Sequence, residues 1–105
     1  MLEKHVEHRI CKHAKSLGFL VYKFTSPQRR SVPDRLFISP DGIVFFMELK
    51  APGGQLTEGQ VREINRIRAN GVAAFVIDNP DYGKHIIDMI DLGLDPVTLV
   101  NHADT

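Results

Sequence analysis

The chain has one cysteine, no net charge and no long apolar run, and each shortage removes a class of protein from consideration. A lone Cys11 excludes an intrachain disulfide and suits a reducing compartment; on the apolar side of a helix, its default role is core packing. No apolar run approaches the roughly 20 residues of a membrane span. The opening Met1-Leu2-Glu3-Lys4-His5 lacks a signal-peptide pattern, so a cytoplasmic setting is expected. His5, His8 and His13 have no cysteine partners in zinc-site spacing, and Gly53-Gly54 lacks the motif of a nucleotide-phosphate loop. No zinc and no nucleotide cofactor is therefore expected. There is no internal repeat and no low-complexity tract. What remains is ordinary: 105 residues, 43% hydrophobic and 25% charged, long enough for one core in a single domain over 1–105.

Periodicity and punctuation predict the elements. Leu2, Val6, Ile10, Ala14 and Leu17 form a helical stripe that Gly18 stops. Strands follow at about 19–24, 35–39 and 43–50. Thr57-Glu58-Gly59-Gln60 reads as a capping box opening a helix that runs to about Asn70, with Gly71 as its stop. Val72–Ile77 reads as a short strand and Asn79-Pro80-Asp81 as a turn. A last helix is expected over about 83–92, and the tail Asn101–Thr105 is expected to fray. The fold class is α/β: a mixed sheet flanked by helices, in the order α-β-β-β-α-β.

Chemistry concentrates in two segments, Val32-Pro33-Asp34-Arg35 and Met47-Glu48-Leu49-Lys50. Between them, Ser39-Pro40-Asp41-Gly42 is a turn signal. A three-residue loop with Gly42 in the left-handed region pairs Ser39 with Ile43. Counting back sets Asp34 opposite Glu48, with Cβ atoms about 4.5–5.5 Å apart. Lys50, two residues on, shares their face. A two-residue loop would shift the pairing by one and break this arrangement. Like charges opposed on a sheet are destabilising unless something positive sits between them. Mg²⁺ takes oxygen ligands from one or two carboxylates, waters and substrate phosphate. Ile43-Val44-Phe45-Phe46-Met47 is apolar on both faces, which indicates a central strand and makes charges at its end costly without partners.

The run Val32-Pro33-Asp34-Arg35-Leu36, then Glu48-Leu49-Lys50-Ala51-Pro52-Gly53-Gly54, then Leu56-Thr57 and Gln60, resembles the VRR-NUC family. These are virus-type replication-repair nucleases of the PD-(D/E)XK superfamily, and the resemblance runs from about Leu2 to Asp78. It implies the superfamily core and a nuclease activity dependent on Mg²⁺ or Mn²⁺. Asp34 and Glu48 become metal ligands, with the Leu49 carbonyl as a third. Lys50 orients the attacking water and offsets charge on the phosphate, and Gln60 supports the site. The family also places a glutamate on its first helix. Alignment on Ala14-Lys15-Ser16-Leu17-Gly18 makes it Glu7, although on the helical wheel both Glu3 and Glu7 can point toward a sheet. The basic loop before Pro33-Asp34 departs from the family, which often carries glycine where this chain has Gln28 and Ser31.

Zero net charge does not suit a non-specific DNA binder, but the distribution does. Lys12, Lys15, Lys23, Arg29, Arg30 and Arg35 share a stretch with Asp34 as its one acid, whereas from Asp78 onward the aspartates face a single Lys84. Phosphate affinity depends on local Lys and Arg. Lys23, Arg29, Arg30 and Arg35 are the DNA-contact candidates, the Arg29-Arg30 pair foremost; Arg62, Arg66 and Arg68 read as ordinary helix surface. The expectation is a metal-dependent DNA endonuclease, in a phage or bacterial setting. The resemblance further implies a homodimer cutting branched DNA such as Holliday junctions, in DNA repair. The alternatives are a nicking, flap or restriction-type enzyme on the same fold, or a non-catalytic DNA-binding module.

Overall fold

The computed structural model describes residues 1–103. Helix α1 spans Glu3–Ser16 and is followed by strands β1 (Leu20–Lys23), β2 (Arg35–Ile38) and β3 (Val44–Leu49). Helix α2 (Glu58–Ala69), strand β4 (Ala74–Ile77), helix α3 (Pro80–Asp91) and helix α4 (Pro96–Ala103) complete the chain. The strands form one sheet in the order β1-β2-β3-β4. The first two pairings are antiparallel and β3–β4 is parallel, joined through α2. The expected α-β-β-β-α-β core is present, with β3 paired on both sides.

The turn after β2 takes the three-residue form. Ser39 N–H donates to Ile43 O at 2.9 Å, and Gly42 lies in the left-handed region at φ 84°. Arg35 pairs with Met47, Leu36 with Phe46, Phe37 with Phe45 and Ile38 with Val44. One step further along this register puts Asp34 opposite Glu48.

Strand alternation divides the sheet into two unlike faces. Phe37, Phe45, Met47, Leu49, Phe75 and Ile77 bury one face against Val6, Ile10 and Ala14 of α1 and Ile86, Ile87 and Ile90 of α3. Phe37 stacks on Phe45 at 5.0 Å, and Phe75 meets Phe45 edge-on at 5.9 Å. Gly83 allows the closest helix approach in this layer: a Cβ there would lie 2.3 Å from Ile10 Cδ1. The other face carries Leu20, Tyr22 and Val44, largely exposed, and Glu48 at the β3 end, where α2 covers it.

Two expectations about the C-terminal part are corrected. Asn79-Pro80-Asp81 is the start of α3 and not a separate turn: Asn79 Oδ1 accepts from Tyr82 N–H at 3.0 Å, with Pro80 in the first turn. Helix α4 was not anticipated. Asp95 opens it, its Oδ1 accepting from Val97 N–H at 3.0 Å, and it continues to Ala103 through most of the stretch expected to fray. Residues 104 and 105 of that stretch lie outside the described residues.

Candidate active site

Asp34, Glu48, Lys50 and Gln60 come together where β2 begins and β3 ends. Asp34 precedes β2, its carbonyl accepting from Phe24 N–H at 2.8 Å and its Oδ2 accepting from Leu49 N–H at 3.1 Å. The carboxylate is thus tied to the partner strand's backbone. Glu48 is only 2% exposed. Lys50 Nζ lies 3.7 Å from Glu48 Oε2, and Gln60 Nε2 donates to the same oxygen at 3.4 Å. Leu49, the last residue of β3, sits between Glu48 and Lys50, its side chain buried in the core.

Gln60 performs two tasks with the two ends of its amide. Thr57 Oγ1 accepts from Gln60 N–H at 3.1 Å, and Gln60 Oε1 accepts from Thr57 N–H at 2.9 Å, completing the capping box of α2. Capping occupies the amide oxygen and leaves the NH₂ free to reach Glu48.

The electrostatics are those of a site built for a missing positive charge. Burial pushes the Glu48 carboxyl up from 4.5 to about 8; hydrogen bonding to Asp34 and its charge add to this, Lys50 opposes it, and Glu3 adds a further push. Glu48 Oε1 is buried with no donor. The hydrogen bond to Asp34 exists only while one carboxyl holds a proton; with both ionised, two acceptors face each other. Oxygen donors, two opposed carboxylates and an orphaned buried carboxylate oxygen suit a hard divalent cation. Among the described residues no three His, Cys, Asp or Glu side chains cluster around one metal position.

Glu7 lies elsewhere. It accepts from Arg35 Nε at 2.6 Å and also from Arg35 Nη2. Both residues belong to the α1 face of the sheet, since Arg35 alternates with Asp34, and this ion pair occupies the guanidinium expected at DNA. The α1 carboxylate whose charge reaches Glu48 is Glu3, at the helix start.

The basic loop is docked on α2. Arg29 Nη1 meets Glu63 Oε1 at 3.0 Å. Ser31 adopts φ 68°, a left-handed conformation that glycine would take with less strain. Its Oγ comes 2.7 Å from where a Cβ on Gly59 would stand, so the close approach depends on that glycine. Arg30 and Lys23 are exposed, Lys23 at the end of the sheet-edge strand β1.

A four-stranded mixed sheet bearing this carboxylate pair and lysine defines a nuclease core. A solved structure described as a VRR_NUC domain superposes with a TM-score of 0.76 at 30% identity, covering 82% of this chain and 94% of that one. The sequence is also 42% identical over 79 residues to "Putative nuclease p44" of Acyrthosiphon pisum secondary endosymbiont phage 1, spanning 75% of this chain and 85% of that protein. No family model matches the chain. The chain belongs to the VRR-NUC family of nucleases.

Proposed function

We propose that the chain is a metal-dependent DNA endonuclease in which Asp34, Glu48 and the Leu49 carbonyl hold Mg²⁺ or Mn²⁺. The observation that carries this reading is Glu48 Oε1, buried without a donor opposite a second carboxylate. Bound there, the cation would polarise the scissile phosphate and lower the pKa of a coordinated water. Gln60 fixes the orientation of the Glu48 carboxylate by holding Oε2, leaving Oε1 for the metal. Lys50 brings an ammonium to the site, where it orients the attacking water and offsets negative charge developing on the phosphate. Glu3, whose charge acts weakly on Glu48, is the first-helix carboxylate we associate with this group.

The substrate favoured is branched DNA, such as a four-way junction met in repair. A homodimer accounts for paired cuts, because one site cuts one strand and a symmetric pair cuts two. The test is a cleavage panel on duplex, flap and four-way junction substrates with Mg²⁺, Mn²⁺ or chelator, alongside light scattering for the dimer. Cleavage should need metal and disappear in Asp34→Ala and Lys50→Ala while DNA binding persists. Equal cutting by the wild type and both variants would overturn the reading. Preference for duplex or flap over the junction would reassign the substrate.

A further inference from the structure

We infer that a second phosphate-binding groove, formed by Arg29 and Arg30 of the loop before β2 and Arg62 and Arg66 of α2, holds the sugar-phosphate backbone of the strand being cut. This rests on the nuclease reading and joins to Arg29 and Arg30 two residues, Arg62 and Arg66, that sequence alone assigned to ordinary surface. The groove has a volume of about 260 Å³, and no aromatic side chain lines it. It therefore offers charge and hydrogen-bond donors without a stacking platform, the equipment for positioning a backbone and not for reading bases.

The arginines are held in place. Glu63, 13% exposed at the base of the groove, pairs with Arg29 at 3.0 Å and with Arg66 Nε at 3.7 Å. Each guanidinium has five N–H donors, so one shared carboxylate leaves most of them free. Arg62 has only a long 3.9 Å contact to Glu58, itself 96% exposed, a pairing that solvent screens and a phosphate would displace. Guanidinium forks match phosphate oxygens in geometry as well as charge. Ser31 packs closely on Gly59 in the first turn of the helix, which brings the loop arginines and the helix arginines to line one groove.

Location ties the groove to the site. Gly59, Glu63 and Arg66 fall on one side of α2 at helical spacing, with Arg62 beside them. Gln60, next in the same turn, bonds Glu48. At about 1.5 Å per residue, Arg62 and Arg66 lie roughly 3–9 Å along the helix from Gln60. Successive phosphates of one strand are farther apart than their axial rise of about 3.4 Å, so this span accommodates the first phosphate or two beyond the one at the carboxylates.

The test measures anisotropy of a labelled four-way junction in chelator across a salt series, with wild type, Arg62→Ala/Arg66→Ala, the corresponding double lysine variant and Lys84→Ala. The double alanine variant should bind about tenfold more weakly, with a slope of log K against log salt smaller by about one to two. Lysine should restore most of the slope, and Lys84→Ala should leave it unchanged. With Mn²⁺, junction cleavage by the double alanine variant should show a raised KM and recover toward the wild-type rate at saturating DNA, whereas Lys84→Ala should cleave like wild type. An unchanged slope, or an equal loss in Lys84→Ala, would overturn the groove. Failure of the wild type to cleave the junction, a flap or duplex DNA would instead overturn the nuclease reading, and the anisotropy series would still decide the groove.

Discussion

Replacing Glu48 with Gln should abolish cleavage and, in metal-free protein at alkaline pH, make the fold more stable. The unfolded chain releases the Glu48 proton near 4.5, whereas the folded chain retains it to about 8. Below pH 4.5 both states hold the proton and the carboxyl makes no difference to folding. Between 4.5 and 8 the folded state alone holds it, so stability falls as pH rises, by up to about 1.4 kcal/mol per unit. Above 8 the loss is complete, and a shift of this size corresponds to about 5 kcal/mol at most. That is comparable with the whole stability of a small domain, about 5–15 kcal/mol. Gln has nearly the same shape, keeps a polar contact with Gln60 and has no proton to lose in this window.

The assay is urea unfolding followed by circular dichroism, in chelator, from pH 5 to pH 9. Near pH 5 the variant should match wild type or fall slightly below it, because a buried amide also costs desolvation. By pH 9 it should exceed wild type by at least about 2 kcal/mol, or roughly 8–16 °C in thermal midpoint. Subtracting the curves removes the contribution of histidines common to both proteins. Mg²⁺ at pH 8 should then raise the stability of wild type and not of the variant, since only a ligand that binds the folded state stabilises it. A difference that stays flat from pH 5 to 9, or a variant less stable throughout, would refute the claim that Lys50 leaves the buried Glu48 charge under-compensated.

Asp34→Asn should reduce the same alkaline loss but less fully than Glu48→Gln, because burial, the largest cause of the Glu48 shift, remains; the pH–stability series checks this. Thr57→Ala and Gln60→Ala should each cost about 1 kcal/mol through the α2 cap. Only Gln60→Ala should also lower cleavage per folded molecule, since Thr57 has no bond to the carboxylates. Gly83→Ala should cost about 1–3 kcal/mol in urea unfolding by forcing a methyl against Ile10, with cleavage by the folded fraction unchanged.

The parts of this fold legible in the sequence are those decided locally. Pro40-Asp41-Gly42 fixes a loop length, and alternation along two short strands then determines which side chains share a face, so Asp34, Glu48 and Lys50 could be brought together on paper. Asn79-Pro80 reads as a turn in the sequence, and nothing there announces the helix after Asp95-Pro96, because the same residues serve a turn or the first turn of a helix. What decides between them is whether the following residues find a surface to bury against. Ile86, Ile87 and Ile90 find α1 and the sheet, while Leu99 and Val100 of α4 bury in the same core. Neither partner surface is visible from the local sequence.

The first-helix carboxylate shows the same limit acting on function. A helical wheel ranks Glu3 and Glu7 by angle about α1, but the site lies on the opposite face of the sheet from the one α1 covers. Angle alone therefore cannot bring a mid-helix residue to it: Glu7 meets Arg35, the neighbour of Asp34 that points to the α1 side. Charge from α1 reaches Glu48 only near the helix start, where Glu3 stands.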